Sequence, residues 1–322
     1  MQQPDHTEAT EQAAGHVEAA EPAGDHAAEG FNAGEVIIEH VANSSFEHPI
    51  LHLPPLFGID FSVTKHVFML LLVATAVFLL ITTAVRRYLR QDRLVPAGFM
   101  NALEFIVEFI RDSIVRPNVG AKYVRTWAPL VLTFFFFILA ANMIGLIPIF
   151  EVLGLIDHYV LHTGEHSLVK NIVHGGTTAT GNFNVTAALA TITFVSIIVA
   201  GSLAHGFIRH WMNLVPHGLA WPLYILLIPI EVMGMFVKPF ALTMRLAANM
   251  TGGHIAILAI LSFVFIFTEQ FGPAAGIGVG IGASIPLAVG INALEIIIVF
   301  VQAYVFTLLS AVFIGMAINV HH

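Results

Sequence analysis

Hydrophobic and polar positions along this chain fall into long blocks rather than short alternations. The first block is "HVFMLLLVATAVFLLITTAV", His66 to Val85, which carries no formal charge. A run of about 20 apolar residues has the length of a helix crossing a hydrocarbon core of about 30 Å. Similar blocks run from Trp127 to Phe150 and from Asn184 to Phe207. Two later blocks are far longer. The fourth covers residues 219–268, and its apolar part from Pro222 to Phe267 would make a helix of roughly 69 Å at about 1.5 Å per residue. Such a segment must be kinked, broken or steeply tilted, with Pro229 and Pro239 as possible bend points. The last block covers residues 283–320 and is again too long for one upright span. Between the two lies "FGPAAGIGVGIGASIP". Its small residues suggest close helix contact and a flexible turn, and no strand precedes its glycines as a phosphate-binding loop would require.

A different pattern occupies residues 97–116. Leu103, Ile106, Phe109, Ile110 and Ile114 recur at helical spacing, with Glu104, Glu108, Arg111 and Asp112 between them. This amphipathic stretch is too charged to span and predicts a helix lying at a membrane surface. Residues 1–50 are acidic and rich in Ala, Gly and His at first, and are expected to be disordered. His6, His16 and His26 read as part of that solvated tail, which has neither the basic start nor the apolar core of a signal peptide.

Composition sharpens the reading. The 322-residue chain is 57% hydrophobic but only 11% charged, against roughly 25% charged in soluble domains. The expected fold is therefore an all-α polytopic membrane protein. It has about five to six helices, including one surface amphipathic helix and two long C-terminal helices, in one membrane domain over residues 51–322. Absence of cysteine excludes disulfides and thiolate chemistry. The net charge of −8 hides a segregation: eleven of the 21 acids precede Lys65, and eight of the 13 bases lie between Arg86 and Arg125. By the positive-inside rule the basic cluster is cytoplasmic, which puts the N-terminus outside and the C-terminus in the cytoplasm. No nucleic-acid role, metal site or cofactor is suggested.

Candidate chemistry lies in the few polar residues at membrane depth. From Pro239 to the C-terminus only Arg245, Glu269 and Glu295 carry formal charge. An intramembrane charge costs about 2.5 to 3.5 kcal/mol on insertion scales, and arginine cannot shed its proton to avoid that cost. Glu231, Lys238, Arg245 and Gly252 are spaced by seven, so on a helix they share one slowly twisting stripe. Asn249 lies one turn beyond Arg245. Ala247, Ala248, Gly252 and Gly253 keep this neighbourhood thin enough for another helix to come close. Glu295 and Gln302, also seven apart, share a face of the last helix, and His254 is placed to look toward Glu295 across the helix pair. Asn142 adds an amide to the second span. Glu231 and Lys238 also fit snorkelling residues, and Asn249 and Gln302 fit interhelical glue.

At these residues a family resemblance appears. "ALTMRLAANM" (Ala241 to Met250) resembles the signature of the membrane-embedded a subunit of F-type ATP synthases. The likeness extends from about residue 50 through "NMIGLIP" and the Glu231/Lys238 stripe to "LEIIIVFVQAYVFTLLSAVFIGMAI". It implies a stator with two offset half-channels beside a ring of c subunits, each bearing one carboxyl group at mid-membrane, and two long tilted helices curving around that ring. It further implies b subunits of a peripheral stalk and the other synthase subunits as partners, in a lipid bilayer; the lack of a cleavable targeting segment favours a bacterial plasma membrane. Arg245 takes the place of the family's indispensable arginine. Asn249, His254, Glu295 and Gln302 resemble the lining of the channel from outside, and Glu231 and Lys238 resemble polar residues toward the cytoplasmic exit.

The chain departs from the family pattern at several positions. Ala247 and Ala248 stand where many relatives have Phe-Gly. His254 and Glu295 exchange the acid and the histidine of many relatives, and Gly145 stands where some have an acid. The resemblance implies proton translocation without catalysis by this chain itself. The alternative is a secondary transporter that binds an anionic substrate at the midplane arginine.

Overall fold

The computed structural model describes residues 62–90, 97–146, 178–212 and 221–319, together with residues 32, 34 and 38. The expected disorder of residues 1–50, the early histidines and His158, His162, His166 and His174 lie outside the described residues. Among the described residues there is no β-strand, and five helices are long and apolar enough to cross a membrane. The protein is an all-α, multi-pass membrane protein.

Helix α1 is Lys65–Leu89 and ends in Arg86 and Arg87. These cations stand in the last turn, where the helix dipole favours positive charge. Helix α2 is Phe99–Phe109; it passes through a π-helical stretch, Ile110–Val115, into the short α3, Arg116–Val119. Gly120 then turns the chain at φ 77°, a conformation open to glycine. Helices α4 (Val124–Leu146) and α5 (Phe183–His205) are spans, and α5 is followed by the short α6, Phe207–Met212. A single 3-10 turn, Ala179–Gly181, precedes α5, and the Asn182 side chain caps the start of α5 by accepting from the N–H of Asn184.

The amphipathic stretch packs into the helix bundle. Its apolar face forms one core cluster with α4, α5 and the end of the last helix: Ile110, Ile114, Val119, Trp127, Val131, Ala200 and Ile314 are all buried there. Its polar face carries an exposed ion-pair group, Arg111 with Glu108 and Asp112 and Arg116 with Asp112. The hydrogen bond from Arg111 holds the Asp112 carboxyl below its ordinary range. Gly315 lets the last helix approach the backbone carbonyl of Asn118, and Asn319 donates to that carbonyl at 2.8 Å.

The two overlong blocks are both helical. Helix α7 runs unbroken over 51 residues, Trp221–Phe271, through Pro229 and Pro239. The prolines do not divide it, although each removes one backbone donor. At about 1.5 Å per residue it is roughly 76 Å long, so only a steep tilt keeps so apolar a helix within a core of about 30 Å. Gly272, at φ 91°, is the turn into α8, Pro273–Val279. A π-helical stretch, Gly280–Ser284, then leads into α9, Ile285–Ile318. The glycine-rich run is thus helix rather than the flexible turn expected of it. The expected close contact is real, because a side chain on Gly276 would overlap the Thr268 hydroxyl of α7. Missing side chains were read as looseness; here they serve helix-to-helix approach.

A second core cluster ties α4, α5, α7 and α9 together through Phe134, Ile138, Ala190, Leu242, Leu246, Ala303 and Phe306. Phe134 and Phe306 meet edge to face with ring centroids 5.4 Å apart.

Candidate functional site: a polar seam between two long helices

Helices α7 and α9 run antiparallel. The Lys238 ammonium stands 5.8 Å from the centre of the Phe313 ring, Asn249 meets Gln302, and Gly253 meets Glu295, so rising numbers on one helix face falling numbers on the other. Lys238, Asn249, Gln302 and Glu295 therefore lie along the line where the two helices meet, while Arg245 and Gly252 stand on an exposed face of α7.

At the centre Asn249 Nδ2 donates to Gln302 Oε1 over 3.0 Å. Gln302 is buried at 3% exposure, so this bond satisfies an amide that would otherwise be costly. Arg245 lies one helical turn before Asn249. Its own face is uncovered: Ala241, Arg245, Ala248, Asn249 and Gly252 are all exposed on the chain. Among the described residues no carboxylate pairs with the guanidinium. The other side of the same helix, at Leu242, Leu246 and Met250, is buried in the bundle. Helix α7 thus presents one fixed cation on a flat, small-residue strip while its opposite side is anchored.

Glu295 is 6% exposed. Its Oε1 occupies the space that a side chain on Gly253 would need, and its Oε2 is buried without a hydrogen-bond partner. The glycine beside His254 is what admits the carboxyl group to the helix surface. The Glu295 carboxyl of α9 thus stands against α7 at the residue before His254. One hydrogen bond of the imidazole runs elsewhere, from His254 Nε2 to Thr178 Oγ1 at 2.7 Å.

That threonine belongs to a wedge that the sequence did not single out. The 3-10 turn at Ala179–Gly181 is inserted among four helices. Ala179 packs with Met69 of α1 and Ile144 of α4. The Thr180 hydroxyl donates to Asn142 Oδ1, and Thr251 of α7 donates to the carbonyl of Gly181 at 3.2 Å. Asn142 is fully buried, and its Nδ2 has no hydrogen-bond partner. The run "TTATGN" supplies small hydroxyl residues that can enter a crowded interior and satisfy buried polar groups, a composition it shares with surface loops.

Glu231 and Lys238 lie on the earlier part of α7, and both are partly exposed. Apart from Lys238 over Phe313, no described partner joins them to the seam.

The helices and the seam define a class: a polytopic membrane protein whose long apolar helices carry, among the described residues, an arginine without a carboxylate partner and a row of amide, imidazole and carboxyl groups. Comparison with known proteins places it further. Residues 67–315 match the family model described as ATP synthase A chain. Over 297 residues the chain is 40% identical to "ATP synthase subunit a 2" of Chlorobium luteolum, covering 90% of this chain and 77% of that protein. It is 38% identical to "ATP synthase subunit a" of Pelodictyon phaeoclathratiforme over 294 residues, 88% of this chain and 76% of that one. For "ATP synthase subunit a" of Chloroherpeton thalassium the identity is 39% over 276 residues, 84% and 71% of the two chains. The chain belongs to the ATP synthase A chain family.

Proposed function

We propose that this chain is the proton-translocating a subunit of the membrane sector of a rotary ATP synthase, with Arg245 separating two half-channels against a ring of c subunits. One observation carries the reading: an unpaired, permanently charged side chain on an uncovered strip of small residues, backed by a polar seam. A charge at membrane depth is paired or functional by default, and the natural partner is a carboxyl group on a helix that the strip can accept.

The physical cycle follows. A carboxyl group in lipid is favoured neutral, because desolvation penalises its charge. Facing Arg245 it is favoured ionised, so it releases its proton as it arrives and recovers one after it has passed. Arginine suits this role because it keeps its charge throughout, whereas a buried lysine can lose it. Glu295, His254, Asn249 and Gln302 line the path from outside; Glu231 and Lys238 serve the cytoplasmic exit; Asn142 stands at the outer wall. The driving term is about 2.3 kcal/mol per charge per 100 mV. This chain catalyses no bond change; catalysis rests with other subunits. The b subunits hold it as a stator. The membrane is a bacterial plasma membrane, with the N-terminus outside and the C-terminus in the cytoplasm.

The chain has no cysteine, so single cysteines can be placed cleanly. Ala248→Cys, on the strip, should form an oxidative cross-link to a cysteine on the outward face of the c subunit in assembled membranes. Ala190→Cys, buried in the bundle, should not. Absence of any cross-link from the strip, with the complex assembled, would remove the ring from the proposal.

A further inference from the structure

We infer that Thr178 is a positioning residue for His254, holding the imidazole through its hydroxyl in a space that Gly145 leaves open. The inference rests on the proton-path reading given above for His254. Three observations carry it. Thr178 is buried at 3% exposure, although no regular helix holds it. Its Oγ1 lies 2.7 Å from His254 Nε2, across 76 residues of sequence. A Cβ on Gly145 would overlap this same Oγ1 and crowd the Thr178 Cβ and methyl carbons. Gly145 lies in the last turn of α4, and its lack of a side chain is what allows Thr178 to come this close.

The chemistry suits the place. A hydroxyl both donates and accepts, so it satisfies the imidazole nitrogen in either tautomer and in the protonated state by rotating. A carboxylate would instead favour the charged imidazole and hold it. Thr178 thus fixes the ring's orientation without fixing its proton. The next two turn residues lock the threonine itself: Thr180 bonds to Asn142 of α4, and Gly181 accepts from Thr251, three residues before His254. The turn spaces α4 from α7 and sets where the imidazole stands.

The test uses the complete complex in inverted membrane vesicles and reads ATP-driven proton pumping against chain abundance. Thr178→Val keeps the shape and removes the hydroxyl; it should lower pumping per assembled complex by about tenfold or more, the scale of a displaced proton-transfer group. Thr178→Ser should restore most of it. Gly145→Ala should lower pumping by displacing the hydroxyl, and in a Thr178→Gly background, where no Cβ remains to collide with, it should cost little further. Undiminished pumping by Thr178→Val, or failure of Thr178→Ser to exceed it at equal abundance, would overturn the inference. Arg245→Ala, made in parallel, separates the two levels. If it pumps normally the proton-path reading itself fails. If it is dead while Thr178→Val is normal, only the role of Thr178 fails.

Discussion

At the residue scale the seam works by small numbers of close contacts. The Asn249–Gln302 bond joins two amides, one of them buried, and removing either side chain strands the other. Truncating Asn249 to Ala should cost about 1–3 kcal/mol of stability and lower pumping, measured by thermal unfolding in detergent and by vesicle acidification. The His254 and Glu295 positions make a second case. Exchanging them, with His254→Glu and Glu295→His in one chain, should retain more pumping than either single replacement by Ala, because the pair keeps one imidazole and one carboxyl group beside Gly253. An exchange less active than both single variants would show that each group is tied to its own surroundings. The Thr178 bond points to the asymmetry such a result would report.

These residues show how far the sequence could be read. Arg245 stood out because a fixed charge in an apolar run has few bland explanations, and Asn249 and Gln302, which also fit interhelical glue, do bond across the helix pair. The wedge at Thr178 was not legible. Its hydrogen bonds span 38 to 76 positions, its residues are small, and nothing local distinguishes a buried hydroxyl from one in a surface loop.

At the scale of elements the chain uses glycine to bring helices together. The ring of His210, on α6, occupies the space that a side chain on Gly201 of α5 would need. Asn118 does the same to Gly315 of α9. Gly201→Ala or Gly315→Ala should therefore destabilise by about 1–3 kcal/mol through overpacking, with reduced abundance and a lower unfolding temperature as the readout. The amphipathic pattern at Leu103 to Ile114 was read correctly as a one-sided helix. What covers that side could not be read, since lipid and a neighbouring helix select the same apolar residues. The same limit left kink, break and steep tilt open for the 51-residue helix. Proline removes one donor, but neighbouring side chains such as Thr243, which donates to the Pro239 carbonyl, remain compatible with helix.

Burial first, and His205 second, push the His210 imidazole below its usual range. A group whose folded value is depressed supports the fold fully above its unfolded value of 6.5 and loses that support as pH falls through the depressed folded value. Between pH 7 and 5 the unfolding temperature should fall, and less so in His210→Gln. Equal slopes in the two proteins would show that His210 does not sense this range.

At the scale of the whole molecule, one side of the bundle is anchored and the other open. The two core clusters bind α4, α5, α7 and α9 to the amphipathic stretch, while the strip around Arg245 is left uncovered on this chain. That division suits a stator, whose buried side must be rigid while its open side meets a moving surface. The central claim is that Arg245 keeps two proton paths apart and meets a carboxyl group on another chain. The most direct measurement is ATP-driven acidification of inverted vesicles carrying Arg245→Ala or Arg245→Lys, at matched chain abundance and ATPase activity. The account predicts no pumping with Ala and little or none with Lys. Pumping by Arg245→Ala at the unmodified rate would contradict it.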